Sequence, residues 1–119
     1  MRLWKPAATD AQIAKCMQVG AVVVPSDPTE KLGIALNVRV GVLPVHGLRL
    51  PPEGGTCGWY IWAGGEASQD PDFFQPLHVA HVAEWTALVE PYLALPPGWR
   101  FLVAPDHEDV WFEPAPQPK

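Results

Sequence analysis

The chain is poor in the groups that most protein chemistry relies on. It has two cysteines, Cys16 and Cys57, far apart and outside any CxxC pair. That excludes a thiolate metal site and points to two free thiols in a reducing, cytoplasmic setting rather than to a disulfide. No apolar run is long enough to span a bilayer, and residues 1–6 lack the apolar stretch of a secretory signal, so no membrane association is expected. No serine or cysteine sits in a nucleophile elbow. Gly54-Gly55 and Gly64-Gly65 match neither a dinucleotide fingerprint nor a Walker loop. Cys57 has no neighbouring cation in sequence to stabilise a thiolate. Nothing assembles into an enzyme, and no cofactor is expected.

Basic residues are the other scarcity. Residues 1–50 hold six basic and three acidic side chains, but residues 51–119 hold two basic and ten acidic ones, balances of +3 and −8 within a net charge of −5. Phosphates would be repelled by the second half, which argues against nucleic-acid binding there. A basic protein partner would be attracted and its encounter rate raised. Solubility is the plainer use of such a surface.

What the chain does have is hydrophobic residues, proline and tryptophan. At 48 % hydrophobic residues, wholesale disorder is excluded, and 119 residues make one domain with room for a core. Fifteen prolines imply short elements joined by ordered connections. The run Gly58-Trp59-Tyr60-Ile61-Trp62-Ala63-Gly64, apolar and bounded by glycines, reads as the central strand. Alternation puts Trp59, Ile61 and Ala63 on one face and Tyr60 and Trp62 on the other. Either both faces are covered, or one carries an aromatic patch kept for a partner.

Before that strand, Thr9-Asp10-Ala11-Gln12 fits a capping box, and Ile13, Cys16 and Met17 fall on one face of a helix over 10–19 that Gly20 stops. Residues 21–24 read as a short strand. Residues 32–40 alternate Leu32, Ile34, Leu36, Val38 and Val40 with small or polar residues, a strand with an aliphatic face. Residues 42–56, rich in proline and glycine, read as a long connection. After the central strand, Asp70-Pro71-Asp72 makes a turn, and residues 77–90 show a helical pattern with Leu77, Val82, Trp85, Leu88 and Val89 in one arc. Pro96-Pro97-Gly98 suits a type II turn. Residues 99–104 and 110–112 form a hairpin across an acidic turn at 105–109. The expected architecture is α+β: a single domain over 1–114, with a mixed or mainly antiparallel sheet and two helices packed mainly on one face. A disordered proline-rich tail follows at 115–119.

Two clusters carry acid–base or ligand residue types. His78, His81 and Glu84 form HxxHxxE, in which two imidazoles can share a metal if His107 or Asp109 completes the set. Histidines at the edge of a helix–sheet interface are the plainer reading. Asp106-His107-Glu108-Asp109 sits in a tight turn, where a solvated acidic contact surface is expected rather than a cleft with shifted pKa values. The six tryptophans, Trp4, Trp59, Trp62, Trp85, Trp99 and Trp111, exceed what so small a core absorbs, and exposed tryptophan serves interfaces or stacks on sugars. For sugars, Trp59 or Trp62 would be the platform.

Taken in order, Gly58-Trp59-Tyr60-Ile61-Trp62 with Gly65-Glu66, then Asp70 to Phe74, Pro76-Leu77-His78, Pro91-Tyr92-Leu93 and Pro97-Gly98-Trp99-Arg100-Phe101 resemble bacterial immunity protein family 33 over roughly residues 33–113. The resemblance implies a small cytoplasmic protein that binds and blocks a cognate toxin without chemistry of its own. It assigns no individual residues. The expectation drawn from the residues is a non-catalytic toxin-binding protein. Glu66, Asp70, Asp72, Glu108 and Asp109 form an acidic rim, Trp62 and Trp111 an apolar anchor, and the toxin is basic. A homodimer is left open. The alternative is a metal-binding protein or metal-dependent enzyme using His78, His81 and His107.

Overall fold

The computed structural model describes residues 8–113. The central strand expected at residue 58 is β3 (Thr56–Ala63), and it lies inside a six-stranded mixed sheet. The other strands are β1 (Lys31–Ala35), β2 (Val45–Arg49), β4 (Phe74–His78), β5 (Trp99–Ala104) and β6 (His107–Phe112), in the spatial order β4-β1-β3-β2-β5-β6. Only β1 and β3 run parallel; every other pair is antiparallel. The helices are α1 (Asp10–Val19) and the single turns α2 (Leu36–Arg39) and α3 (Val82–Trp85), with 3-10 turns at Val79–His81 and Glu90–Tyr92. The α+β expectation holds.

The alternation in β3 decides where the core sits. Trp59 and Ile61 are fully buried and Ala63 nearly so, whereas Tyr60 and Trp62 are half-buried. The sheet register places Val45, Gly47 and Arg49 of β2, Ile34 of β1, and Phe101 and Val103 of β5 on the same face as Trp59. Against that face pack Cys16 of α1, Val82 of α3, and Val89, Tyr92, Leu93, Ala94 and Leu95. The indole N–H of Trp59 donates to Leu93 O at 3.1 Å. Each large apolar side chain buried here contributes about 1.5–3 kcal/mol.

The capping box forms as expected: the Gln12 N–H donates to Thr9 Oγ1 at 3.1 Å, and the Thr9 N–H donates to Gln12 Oε1 at 3.0 Å. Gly20, at φ 78°, ends α1. The face read for it is corrected, since only Cys16 is buried while Ile13 and Met17 are exposed. Gln12 instead reaches across to Glu90, donating to its backbone oxygen at 2.9 Å.

Four segments differ from expectation. Residues 21–24 form no strand; the Val24 N–H bonds Ala94 O as part of an irregular strap. The strand read over 32–40 stops at Ala35 and turns into α2, because Leu36 and Val40 are four residues apart and serve a helical turn as well as an extended chain. The connection read over 42–56 contains β2, which the glycine and the charge in its buried positions conceal. The helix expected at 77–90 is instead the end of β4, a 3-10 turn and the single turn α3. The 96–98 turn forms as read, with Gly98 at φ 95°; the terminal hairpin forms with a tighter turn than the one read over 105–109, since β6 starts at His107 and takes His107, Glu108 and Asp109 into the strand. The proline-rich tail lies outside the described residues.

Candidate interaction surface

The opposite face of the sheet is not covered by any described helix. None of the side chains it presents from β3, β2 and β5 belongs to the buried core. Cross-strand register assembles them into rows. Pro76, Gly33, Tyr60, Leu48, Arg100 and Trp111 are successive neighbours across all six strands. Trp62, His46, Leu102 and Asp109 form the adjacent row over four strands. Trp62 stacks on His46 with centroids 5.1 Å apart and meets the edge of Phe74 at 6.1 Å, while Phe74 also meets Tyr60 at 5.2 Å. Gly33 lets the Tyr60 ring lie across β1, since a Cβ there would come within 2.9 Å of Tyr60 Cδ1. The Trp62 indole N–H donates to Gly65 O at 2.9 Å. His46 Nε2 lies 2.6 Å from Gly64 O, which places the ring proton on that nitrogen.

The register Val45–Ala63, Val45–Val103 and Ala35–Phe74 brings the loop after β3, the turn after β5 and the α2–β2 connection to one end of the sheet. Glu66, Asp70 and Asp72 in the first and Asp106 in the second are exposed, and none has an ion-pair partner among the described residues. Asp70 Oδ1 accepts the Asp72 N–H at 2.8 Å, which fixes the turn. Asp109 lies on the open face, 2.9 Å from His107 Nε2. Trp111, at the β6 edge, donates its indole N–H to Glu113 Oε1 at 2.8 Å.

Glu108 is placed differently from the other carboxylates of the expected rim. It faces the helix side, where Lys15 Nζ lies 2.7 Å from its Oε2 and the Tyr92 hydroxyl donates to the same oxygen. Bonds from Lys15 and then Tyr92 hold the Glu108 carboxyl below its ordinary value, whereas burial, reinforced by Glu108, pushes the Tyr92 phenol up. A depressed carboxyl pKa stabilises the fold above the unfolded value, and that stability is lost as pH falls through the folded value. Glu108→Gln is therefore expected to lower the melting temperature at pH 7 and to flatten the acid limb below about pH 4.5. Thermal melts from pH 3 to 8 check this.

The histidines do not converge. His78 and His81 are exposed with ring centroids 6.2 Å apart, and His81 pairs with Glu84 at 2.8 Å. His107 belongs to β6, at the other edge of the sheet from β4, about 24 Å away at ~4.8 Å per strand spacing. The set His78, His81 and His107 cannot close on one ion. Among the described residues no three metal-ligating side chains come together. Trp59, fully buried, cannot be a sugar platform.

The sequence reading missed His46, Leu48 and Leu102 as parts of the surface. Alternation within 45–49 was the available signal.

The described residues thus form an α+β domain with an aromatic sheet face that no described helix covers, exposed carboxylates at one end of it, and no cluster of three metal-ligating side chains. The model of the Imm33-like domain family matches residues 11–113, and the chain belongs to that family. The match takes in α1, beyond the span at which the motif resemblance began. Searches of curated proteins and of solved structures returned no match.

Proposed function

We propose that this chain is a non-catalytic immunity protein that binds and neutralises a cognate bacterial toxin in the cytoplasm, using the open sheet face and the acidic loops at its end. The observation that carries the reading is the row Trp62–His46–Leu102, which no described helix covers, set beside exposed carboxylates that have no ion-pair partner among the described residues. Apolar centre and polar rim are the make-up of a protein interface. The sheet edges are poor alternatives. Pro76 removes a donor from β4, and Glu108 and Asp109 charge β6, devices that discourage strand addition. Glu66, Asp70, Asp72 and Asp109 form the rim, and Trp62 and Trp111 the anchor. Glu108 acts instead as an internal tie. The acidic rim suits a basic toxin, and nuclease toxins are commonly basic.

The test is calorimetric titration with a purified candidate toxin domain, taken from the C-terminus of any secreted protein found encoded next to this chain, at low and moderate salt. Wild type is expected to bind one to one and to inhibit the toxin without altering it. Glu66→Gln/Asp70→Asn/Asp72→Asn is expected to lose on the order of tenfold in affinity at low salt and to show a flatter salt dependence. Unchanged affinity and salt slope would remove the acidic rim from the interface.

A further inference from the structure

We infer that the β1–β2 connection, residues 36–43, is an apolar wedge that inserts into a pocket on the partner rimmed by cationic side chains; this rests on the toxin-binding reading above. Leu36, Val40, Val42 and Leu43 are 56 %, 76 %, 40 % and 46 % exposed, four large aliphatics within eight residues. Scattered exposed aliphatics need no explanation, but a contiguous group marks a contact site.

The segment is held rather than loose. Asn37 donates from Nδ2 to Ala63 O at 2.9 Å and accepts the Ala63 N–H at 3.0 Å, tying α2 to the end of β3. Val38, buried, anchors the inner side of the turn. The Val42 N–H closes back on Asn37 O at 3.1 Å, and the Gly64 N–H on Pro44 O at 2.9 Å. A fixed segment loses little conformational entropy on docking.

Continuity with the proposed interface is direct. Val42 Cγ1 lies beside Gly64, whose carbonyl holds His46 of the His46–Trp62 stack, and Glu66 follows two residues later. The one cation of the segment, Arg39, lies over the Trp85 ring at 5.5 Å. Exposed carboxylates at 66, 70 and 72, without ion-pair partners among the described residues, share this end of the sheet. The complementary partner therefore presents an apolar recess with positive charge around it.

The experiment uses the full chain and the same purified toxin domain. Leu36→Ser and Val40→Asp are expected each to weaken binding by at least ~10-fold, mainly through faster dissociation, with the melting temperature nearly unchanged. Met17→Asp, an equally exposed apolar position on α1, is expected to bind as wild type does. Wild-type affinity in both wedge variants, with wild type binding well, overturns the wedge and leaves the toxin reading intact. No binding by wild type overturns both. Light scattering on the free chain covers the remaining occupant: a concentration-dependent dimer dissolved by Val40→Asp would reassign the wedge to self-association and contradict the inference.

Discussion

Replacing Arg49 with methionine is expected to destabilise the protein by about 3–5 kcal/mol, the largest loss from any single change at a polar residue. Arg49 is 2 % exposed, yet no carboxylate among the described residues pairs with it. Its guanidinium is satisfied by backbone oxygens instead. Nε donates to Cys57 O at 2.9 Å, and Nη1 donates to Val24 O at 2.7 Å and Leu95 O at 2.8 Å. It also lies 5.7 Å from the Trp59 ring centroid. Burial pulls its pKa down from the ordinary guanidinium value, opposed by Cys57 and Glu30. One side chain thus joins β2, β3, the strap at 21–24 and the segment under Trp59. Methionine fills most of the volume but leaves these carbonyls without donors, each costing about 1–3 kcal/mol where water cannot reach. Lysine offers a charge without the planar fork and is expected to restore only part of the loss. Urea unfolding followed by tryptophan fluorescence measures both variants. A loss under 1 kcal/mol for Arg49→Met would show that the strap is not held this way.

Gly47→Ala is expected to cost about 3 kcal/mol, a melting-temperature fall of roughly 10–15 °C. A Cβ at Gly47 would sit 2.1 Å from Phe101 Cε2. Phe101 has little room to yield. Its ring stacks on Tyr92 at 4.7 Å and meets Trp59 at 5.4 Å on a tilt. The backbone of Gly47 is not the reason for glycine, since its φ is not positive; the ring is. Gly65→Ala is the control: nothing lies within 4 Å of a Cβ there, and a change within about 0.5 kcal/mol is expected.

These two residues also show why part of the fold was hidden in the sequence. β2 buries a glycine and an arginine, so its inward face carries the residue types that normally mark turns and surfaces. Only the contacts with Phe101 and with three distant carbonyls make sense of them. The reverse happened at 77–90. Leu77, Val82, Trp85, Leu88 and Val89 fall on a helical arc, but Pro76 sits on an edge strand, and tertiary packing of Val82 and Val89 suits short turns as well. Where local chemistry determines structure by itself, sequence and structure agree: the reciprocal cap of Thr9 and Gln12, the alternation of β3, and Gly98 before the final hairpin.

Of the residues read for a contact surface, Trp62 and Trp111 come to one sheet face through the register of β3, β2, β5 and β6, which sequence alternation does not give, while Glu66, Asp70 and Asp72 share the loop after β3 because they are neighbours in the chain. The tie of Glu108 to Lys15 and Tyr92 could not be read, because α1 and the Glu90–Tyr92 turn bring those partners to it from elsewhere in the chain. The separation of His107 from His78 required the strand order, which no local pattern encodes.

Side-chain footprinting with hydroxyl radicals, on the chain alone and saturated with the toxin domain, tests the central claim most directly. Trp62, Trp111, Leu36 and Val40 are expected to become protected on binding, while Met17 and Val22, exposed on the helix side, stay reactive. Protection of Met17 and Val22 with Trp62 and Trp111 unchanged would place the partner on the other face and contradict the account.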